Sequence, residues 1–279
     1  MTEARGDRFA WLYGWAARGW NISQRAADRD AGIASAAVAL FAVLGLVPAL
    51  SAIGLVCGWL SGPTEVLKAF AVLCRLLPPE TGAFVLKQLA QALASGRQEG
   101  AIALLTTLGF GLYGLMNGAQ ALIDGLNLAY DLPEQRTWFH RTTVASAMAL
   151  SGAVAVVAMV ALLLAFARLH AELVVVHGFI VWLAVPCALA FAVGLLAMIY
   201  HFAPSRQNGQ PHRVVPGAVA AVILVVASSL GFALYAAHLA NFTATYGLLA
   251  SIAPTLLWLQ LCAYMVLLGA SVNAQFPVR

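Results

Sequence analysis

Residues 101–130 read AIALLTTLGFGLYGLMNGAQALIDGLNLAY. The part from Ala101 to Ile123 carries no formal charge and is long enough to cross a bilayer core as a helix. An ordinary lipid anchor would be apolar on every side, and this stretch is not. Asn117, Gln120, Asp124 and Asn127 recur at spacings of three, four and three residues. As a helix they share one face, within about 80° of arc. The other faces are Leu, Ile, Gly and Ala, so the polar face is expected to turn toward partner helices or a water-filled cavity.

Composition agrees with a chain that lives in lipid. Of 279 residues, 62% are hydrophobic and 9% charged, and the mean hydropathy is +0.87. Soluble domains devote about a quarter of their residues to charge. The net charge of +4 does not form a nucleic-acid patch, because the basic residues stand at the ends of apolar runs, as topology signals do. Cys57, Cys74, Cys187 and Cys262 are scattered without metal-ligand spacing. Isolated cysteines are ordinarily small buried apolar residues, and whether Cys57 and Cys74 pair is left open. The N-terminal residues do not read as a cleavable signal, since Arg, Asp and Trp are mixed through them.

Upstream of the polar stretch, residues 1–30 form a cytoplasmic or interfacial segment. Phe9, Leu12, Tyr13, Ala16 and Trp20 recur at helical spacing beside Arg8 and Arg18. Such a helix lies at headgroup level or packs on the protein's own loops. Five arginines precede the first span and place the N-terminus in the cytoplasm. That span, Ala31 to Ser61, is uncharged and about 45 Å long as a helix, more than the bilayer core requires, with Gly45 and Pro48 the place to bend. Residues 62–100 then form an outer-side insert of two amphipathic helices separated by Pro78-Pro79. Val66, Phe70 and Leu73 line one apolar face, and Val85, Leu86 and Leu89 the other. The two helices lie flat at the outer interface or roof the bundle.

Downstream, Asp131 to Arg141 makes a cytoplasmic loop ending near Trp138. A third span runs from Thr142 to Ala167 and a fourth from about Phe179 to Phe202. A loop with Arg206 and Arg213 follows. Asn241 to Thr245 divides the remainder into a fifth span, Val214 to Ala240, and a sixth, Tyr246 to Asn273. By this topology ten Lys and Arg lie inside and five outside. The fold expected is an all-α membrane protein. It has six transmembrane helices in residues 31–275, two amphipathic outer-side helices, cytoplasmic termini and a short tail at 276–279.

Several short patterns resemble the YihY/BrkB family of bacterial inner-membrane proteins, once labelled ribonuclease BN. They are Ala36 to Leu50, Asn127-Leu128-Ala129-Tyr130, Tyr200 to Pro204 and Pro216-Gly217-Ala218. At the C-terminal end stand Tyr246-Gly247, Leu257-Trp258-Leu259, Leu268-Gly269-Ala270 and Asn273. Their order and spacing, from Ala31 to Ala274, carry the resemblance. It implies a multi-pass protein of the bacterial inner membrane, sometimes tied to virulence, whose activity is not settled. The chain departs from the family's usual pattern twice. Ala42-Val43-Leu44-Gly45 stands where Tyr-x-Leu-Leu-Ser is usual, and Ser271 stands where Gly-Ala is followed by Glu. Ser271 cannot carry protons as a carboxylate would.

A nuclease needs clustered acid and base groups or a metal site. His140, His170, His177, His201, His212 and His238 are dispersed without a ligand pattern. No enzyme, metal or cofactor is therefore expected, and no nucleic-acid partner. The candidate path residues are Asn117, Gln120, Asp124 and Asn127, joined by His238 and Asn241 of the fifth span region and by Gln260 and Tyr264 of the sixth. Their plainer reading is interhelical hydrogen bonding that locks the bundle. Arg136, Arg141, Arg206 and Arg213 are candidates for an anionic headgroup, or else plain topology signals. The expected function is translocation or handling of a lipid or lipid-linked amphiphile through a polar intramembrane cavity, without an ATP-binding loop. The alternative is a non-transporting scaffold of an envelope assembly complex, and a third reading is a small-solute channel. The partners expected are membrane lipids, with a second copy or an envelope-complex protein besides.

Overall fold

Asp30 opens the first helix from a left-handed turn (φ 55°), and its carbonyl accepts the N–H groups of Ile33 and Ala34. From there the computed structural model describes residues 30–74, 77–95, 101–172, 177–205, 214–238 and 252–274. Those residues form eight helices and no strand: α1 (Ala31–Ser61), α2 (Pro63–Cys74), α3 (Pro79–Ser95), α4 (Ala101–Tyr130), α5 (Trp138–Glu172), α6 (His177–Phe202), α7 (Val215–His238) and α8 (Ile252–Ala274). The interfacial N-terminal segment, Asn241, Arg206, Arg213 and the start of the sixth span lie outside the described residues. Three described helices are long and apolar enough to cross a membrane, over Ala31–Ser51, Val215–His238 and Ile252–Ala274, with Pro186–Phe202 a shorter apolar one.

The helix ends follow local chemistry. Gly62 takes φ 82° just past α1, a conformation glycine adopts without Cβ strain, and Pro63 begins α2 where its missing N–H costs nothing. Asp131 takes φ 58° past α4, so that Leu132 N–H reaches the Asn127 carbonyl at 2.9 Å and Asp131 N–H that of Leu128 at 3.2 Å. This paired closure satisfies carbonyls that a helix end leaves orphaned. α5 begins four residues before the expected Thr142. The Thr137 carbonyl accepts the Arg141 N–H at 3.0 Å and carries the helix back to Trp138.

The most extensive contact in the bundle is α1 against α4. A Cβ added to Gly114 would fall on the Gly45 backbone, one on Gly111 on Pro48, and one on Gly118 beside Phe41. Gly45 and Pro48, expected as a bend, are thus the surface on which α4 lies. α7 and α8 meet as closely, with Gly217 against Gly269 and Ala221 against Gly269. Small residues let helix backbones approach where no side-chain hydrophobic effect drives association.

Two apolar clusters hold the rest. At the outer end Leu50 of α1 meets Val66, Phe70 and Cys74 of α2 and Val85 and Leu89 of α3. The apolar faces of both amphipathic helices are therefore consumed by the protein, and Thr255 of α8 touches Thr81 of α3 at 3.5 Å. Outside, Lys68 pairs with Glu65 at 2.9 Å. Cys74 is a buried free thiol. At the opposite end, Ile123, Leu126, Tyr130, Ala145, Tyr200, Ala218, Leu267 and Ala270 form the larger cluster. This end holds the 131–137 loop and is called the inner end here, after the charge bias of the sequence.

Candidate functional site

Two features of α4 decide where its polar stripe points. Gly111, Gly114, Gly118 and Gly125 form one face, against α1 and, at Gly125, Leu267 of α8. The stripe lies about 130° around the helix from that face. Its residues accordingly run along the border between the buried sector of α4 and its outward sector. Asn127 is buried, Gln120 and Asn117 are half-buried, and the Asp124 side chain is 52% exposed.

Each member has a different situation. Asn117 donates its amide to the Tyr113 carbonyl of its own helix at 2.7 Å. Asp124 Oδ2 accepts from Arg141 Nη2 of α5 at 2.6 Å, and Arg141 Nε is buried without a partner. Among the described residues Gln120 has no hydrogen-bond partner, yet it sits one turn from that ion pair, inside the length of an apolar helix. A half-buried amide without protein partners is expensive in hydrocarbon.

Asn127 spends both ends of its amide at the inner end. Its Nδ2 donates to Glu134 Oε2 at 2.7 Å, and its Oδ1 accepts the Ser205 backbone N–H at 2.7 Å. Glu134 Oε1 accepts the Arg136 N–H at 3.0 Å, and Ser205 Oγ accepts that of Gln135 at 3.4 Å. Arg136 then donates Nη1 to the Ala203 carbonyl at 2.9 Å and Nη2 to that of Pro204. Burial alone would raise the Glu134 pKa. The Arg136 N–H, the Asn127 amide, the Arg136 charge and Ser205 together outweigh it and hold the carboxyl below its ordinary value. The 131–137 loop is thereby clamped to the end of α6.

A second polar knot ties α8 to the same end. Asn273, fully buried, accepts the Gly217 N–H at 2.6 Å and donates to the Val214 carbonyl at 3.0 Å and to Tyr130 Oη at 3.3 Å. Tyr200 Oη donates to the Val266 carbonyl at 2.6 Å. Sequence reasoning missed Glu134, Ser205, Tyr200 and Asn273 as clamp residues, although the last two stood in quoted motifs. Ser271 turns its hydroxyl to the Leu267 carbonyl of its own helix.

The structure thus brings Asp124 to Arg141, and Asn127 to Arg136 through Glu134 and Ser205. Gln260 and Tyr264 are half-buried on α8 and His238 is exposed at the end of α7. No hydrogen bond among the described residues joins them to the α4 stripe. Asn241, Arg206 and Arg213 are outside those residues. Among the described residues no three His, Cys, Asp or Glu side chains gather as a metal site would need.

The model of the virulence factor BrkB family matches residues 22–279. The chain belongs to that family. Relatives include the ribonuclease-like protein YfkH of Bacillus subtilis, 30% identical over 177 residues, which are 60% of this chain and 63% of YfkH. The UPF0761 membrane protein VP0125 of Vibrio parahaemolyticus is 38% identical over 96 residues, 34% of this chain and 29% of its own. The UPF0761 membrane protein RSc1559 of Ralstonia nicotianae is 33% identical over 102 residues, 33% of this chain and 23% of its own. Each match spans less than two thirds of the relative's length. No solved structure matches the chain. The BrkB-family protein is a membrane protein, and several residues of the quoted motifs meet at the inner end. Asn127, Tyr130, Tyr200, Gly217, Gly269 and Asn273 all lie within the two polar knots and the α7–α8 contact they brace.

Proposed function

We propose that this BrkB-family protein spans the bacterial inner membrane six times, with both termini cytoplasmic, and handles or translocates a lipid or lipid-linked amphiphile along the polar border of α4. The observation that carries this is Gln120. It is an amide without a hydrogen-bond partner among the described residues, half-buried, one turn from a half-exposed ion pair, on a helix whose glycine face is packed against α1. Polar groups at such a place are costly in lipid and mark a ligand path. The ribonuclease-like name of one relative is not carried over to this reading, since no cluster of three His, Cys, Asp or Glu side chains forms among the described residues.

The test is transbilayer movement of fluorescent phospholipids in proteoliposomes. Gln120→Leu and Asn117→Leu should slow it while thermal unfolding in detergent stays unchanged; movement as fast as in the unmodified protein would end the proposal. A scaffold role is the second reading. It is favoured by the inner-end clamp, where Asn127, Arg136 and Asn273 serve internal bonds. A scaffold would tolerate Gln120→Leu and respond instead to substitutions at the exposed loop residues Asp131 and Gln135.

A further inference from the structure

The half-exposed ion pair on the α4–α5 seam has an open valence of each sign. Asp124 uses Oδ2 on Arg141 Nη2, and no other hydrogen bond among the described residues engages Asp124 Oδ1 or Arg141 Nη1. A half-exposed pair with an unused atom of each sign complements a ligand that also carries both charges. A purely anionic group would meet Arg141 but be repelled by Asp124 at the same distance.

Depth in the membrane narrows the ligand. Trp138 and Phe139 open α5 at 75% and 77% exposure, rings at 6.3 Å, and Phe202 stands exposed at the end of α6. The amphipathic indole of Trp138 settles at headgroup level. Arg141 lies one turn into α5 from Trp138, and Asp124 six residues, about 9 Å, from the end of α4. The pair therefore sits at the boundary of headgroup and acyl chain. Gln120, whose amide has no hydrogen-bond partner among the described residues, comes next toward the midplane. Tyr113 and Phe110 follow, 58% and 72% exposed on the same side of α4. From Asp124 to Phe110 is about 21 Å along the helix, enough to reach past the midplane of a roughly 30 Å core.

We infer that the α4–α5 seam binds a zwitterionic phospholipid whose headgroup carries a primary amine, laterally from the leaflet at the inner end. The amine sits on Asp124 and the phosphate on Arg141. Gln120 donates to the glycerol esters, and a chain lies over Tyr113 and Phe110. A primary ammonium offers three donors to the carboxylate where a quaternary one offers none. This deepens the proposed lipid handling and rests on it for its purpose, though the binding itself does not require transport.

The experiment is native mass spectrometry of the full chain in detergent, titrated with dioleoyl phosphatidylethanolamine, phosphatidylcholine and phosphatidylglycerol. The unmodified protein should prefer phosphatidylethanolamine to both others by about tenfold, the worth of one charge-assisted hydrogen bond. Asp124→Asn keeps an acceptor for Arg141 and should abolish that preference while leaving phosphatidylglycerol binding intact or stronger. Arg141→Gln should weaken both. Equal binding of the three lipids by the unmodified protein, or a preference unmoved by Asp124→Asn, overturns the inference. Headgroup preference with no lipid movement in proteoliposomes would sink the translocation reading and leave this site standing. Lipid movement without headgroup preference would do the reverse.

Discussion

Ser205 donates its backbone N–H to Asn127 Oδ1 at 2.7 Å, joining the end of α6 to the end of α4 across 78 residues of chain. Asn127 returns a second bond to Glu134, so one amide fixes both the 131–137 loop and the 203–205 turn. Asn127→Leu should remove both bonds at once. Leaving a buried N–H and a carboxylate oxygen unmet costs about 1–3 kcal/mol. The expected outcome is a lower unfolding temperature in detergent and faster proteolysis of the 131–137 loop. An unchanged temperature would mean that Ser205 and Glu134 find other partners.

The Glu134 carboxyl is held below its ordinary value, so the sign of its pH dependence is fixed. A lowered folded-state pKa contributes stability above the unfolded pKa of about 4.3 and loses it as pH falls through the folded value. Between neutral pH and that acid range the unmodified protein should lose unfolding temperature faster than Glu134→Gln does. Parallel curves for the two proteins would show that the Arg136 N–H and the Asn127 amide give the charged form no advantage.

Glycine substitutions should divide by position. At Gly114 an added methyl meets the Gly45 backbone, which cannot rotate away, so Gly114→Ala should destabilise and loosen α1 from α4. At Gly152 and Gly231 nothing among the described residues lies within 4 Å of an added Cβ. Alanine there should stabilise by about 0.5–1 kcal/mol, the usual gain in a helix interior. Thermal unfolding of the three variants side by side checks the ordering.

Asn273 is the residue whose loss should be felt furthest. Asn273→Leu strips the Gly217 N–H of its partner at a fully buried side chain and leaves the Val214 carbonyl with the Ala218 N–H alone. The expected cost is about 1–3 kcal/mol or more, because the helix-start groups of α7 have no water to turn to. Loss of expression, rescued in part by Asn273→Gln, is the outcome to look for.

The helices were largely legible because uncharged runs bounded by Gly, Pro and charge leave few alternatives, and α1 and α4 end at the expected residues. The face that each helix shows its neighbours was harder to read. Asn127 and Asp124 share a stripe by spacing, but spacing on one helix does not reveal that Ser205 waits opposite the first and Arg141 opposite the second. The glycine face of α4 carried a signal that the polar residues overshadowed, since Gly111, Gly114 and Gly118 also recur at helical intervals. The role of Asn273 could not be read locally at all, because its partners come from α4 and the start of α7.

Backbone-to-backbone contact between α1 and α4 has a mechanical meaning. Where Gly45 and Gly114 touch, no side chain intervenes that could change rotamer to let one helix slip along the other. The two must travel as a single strut.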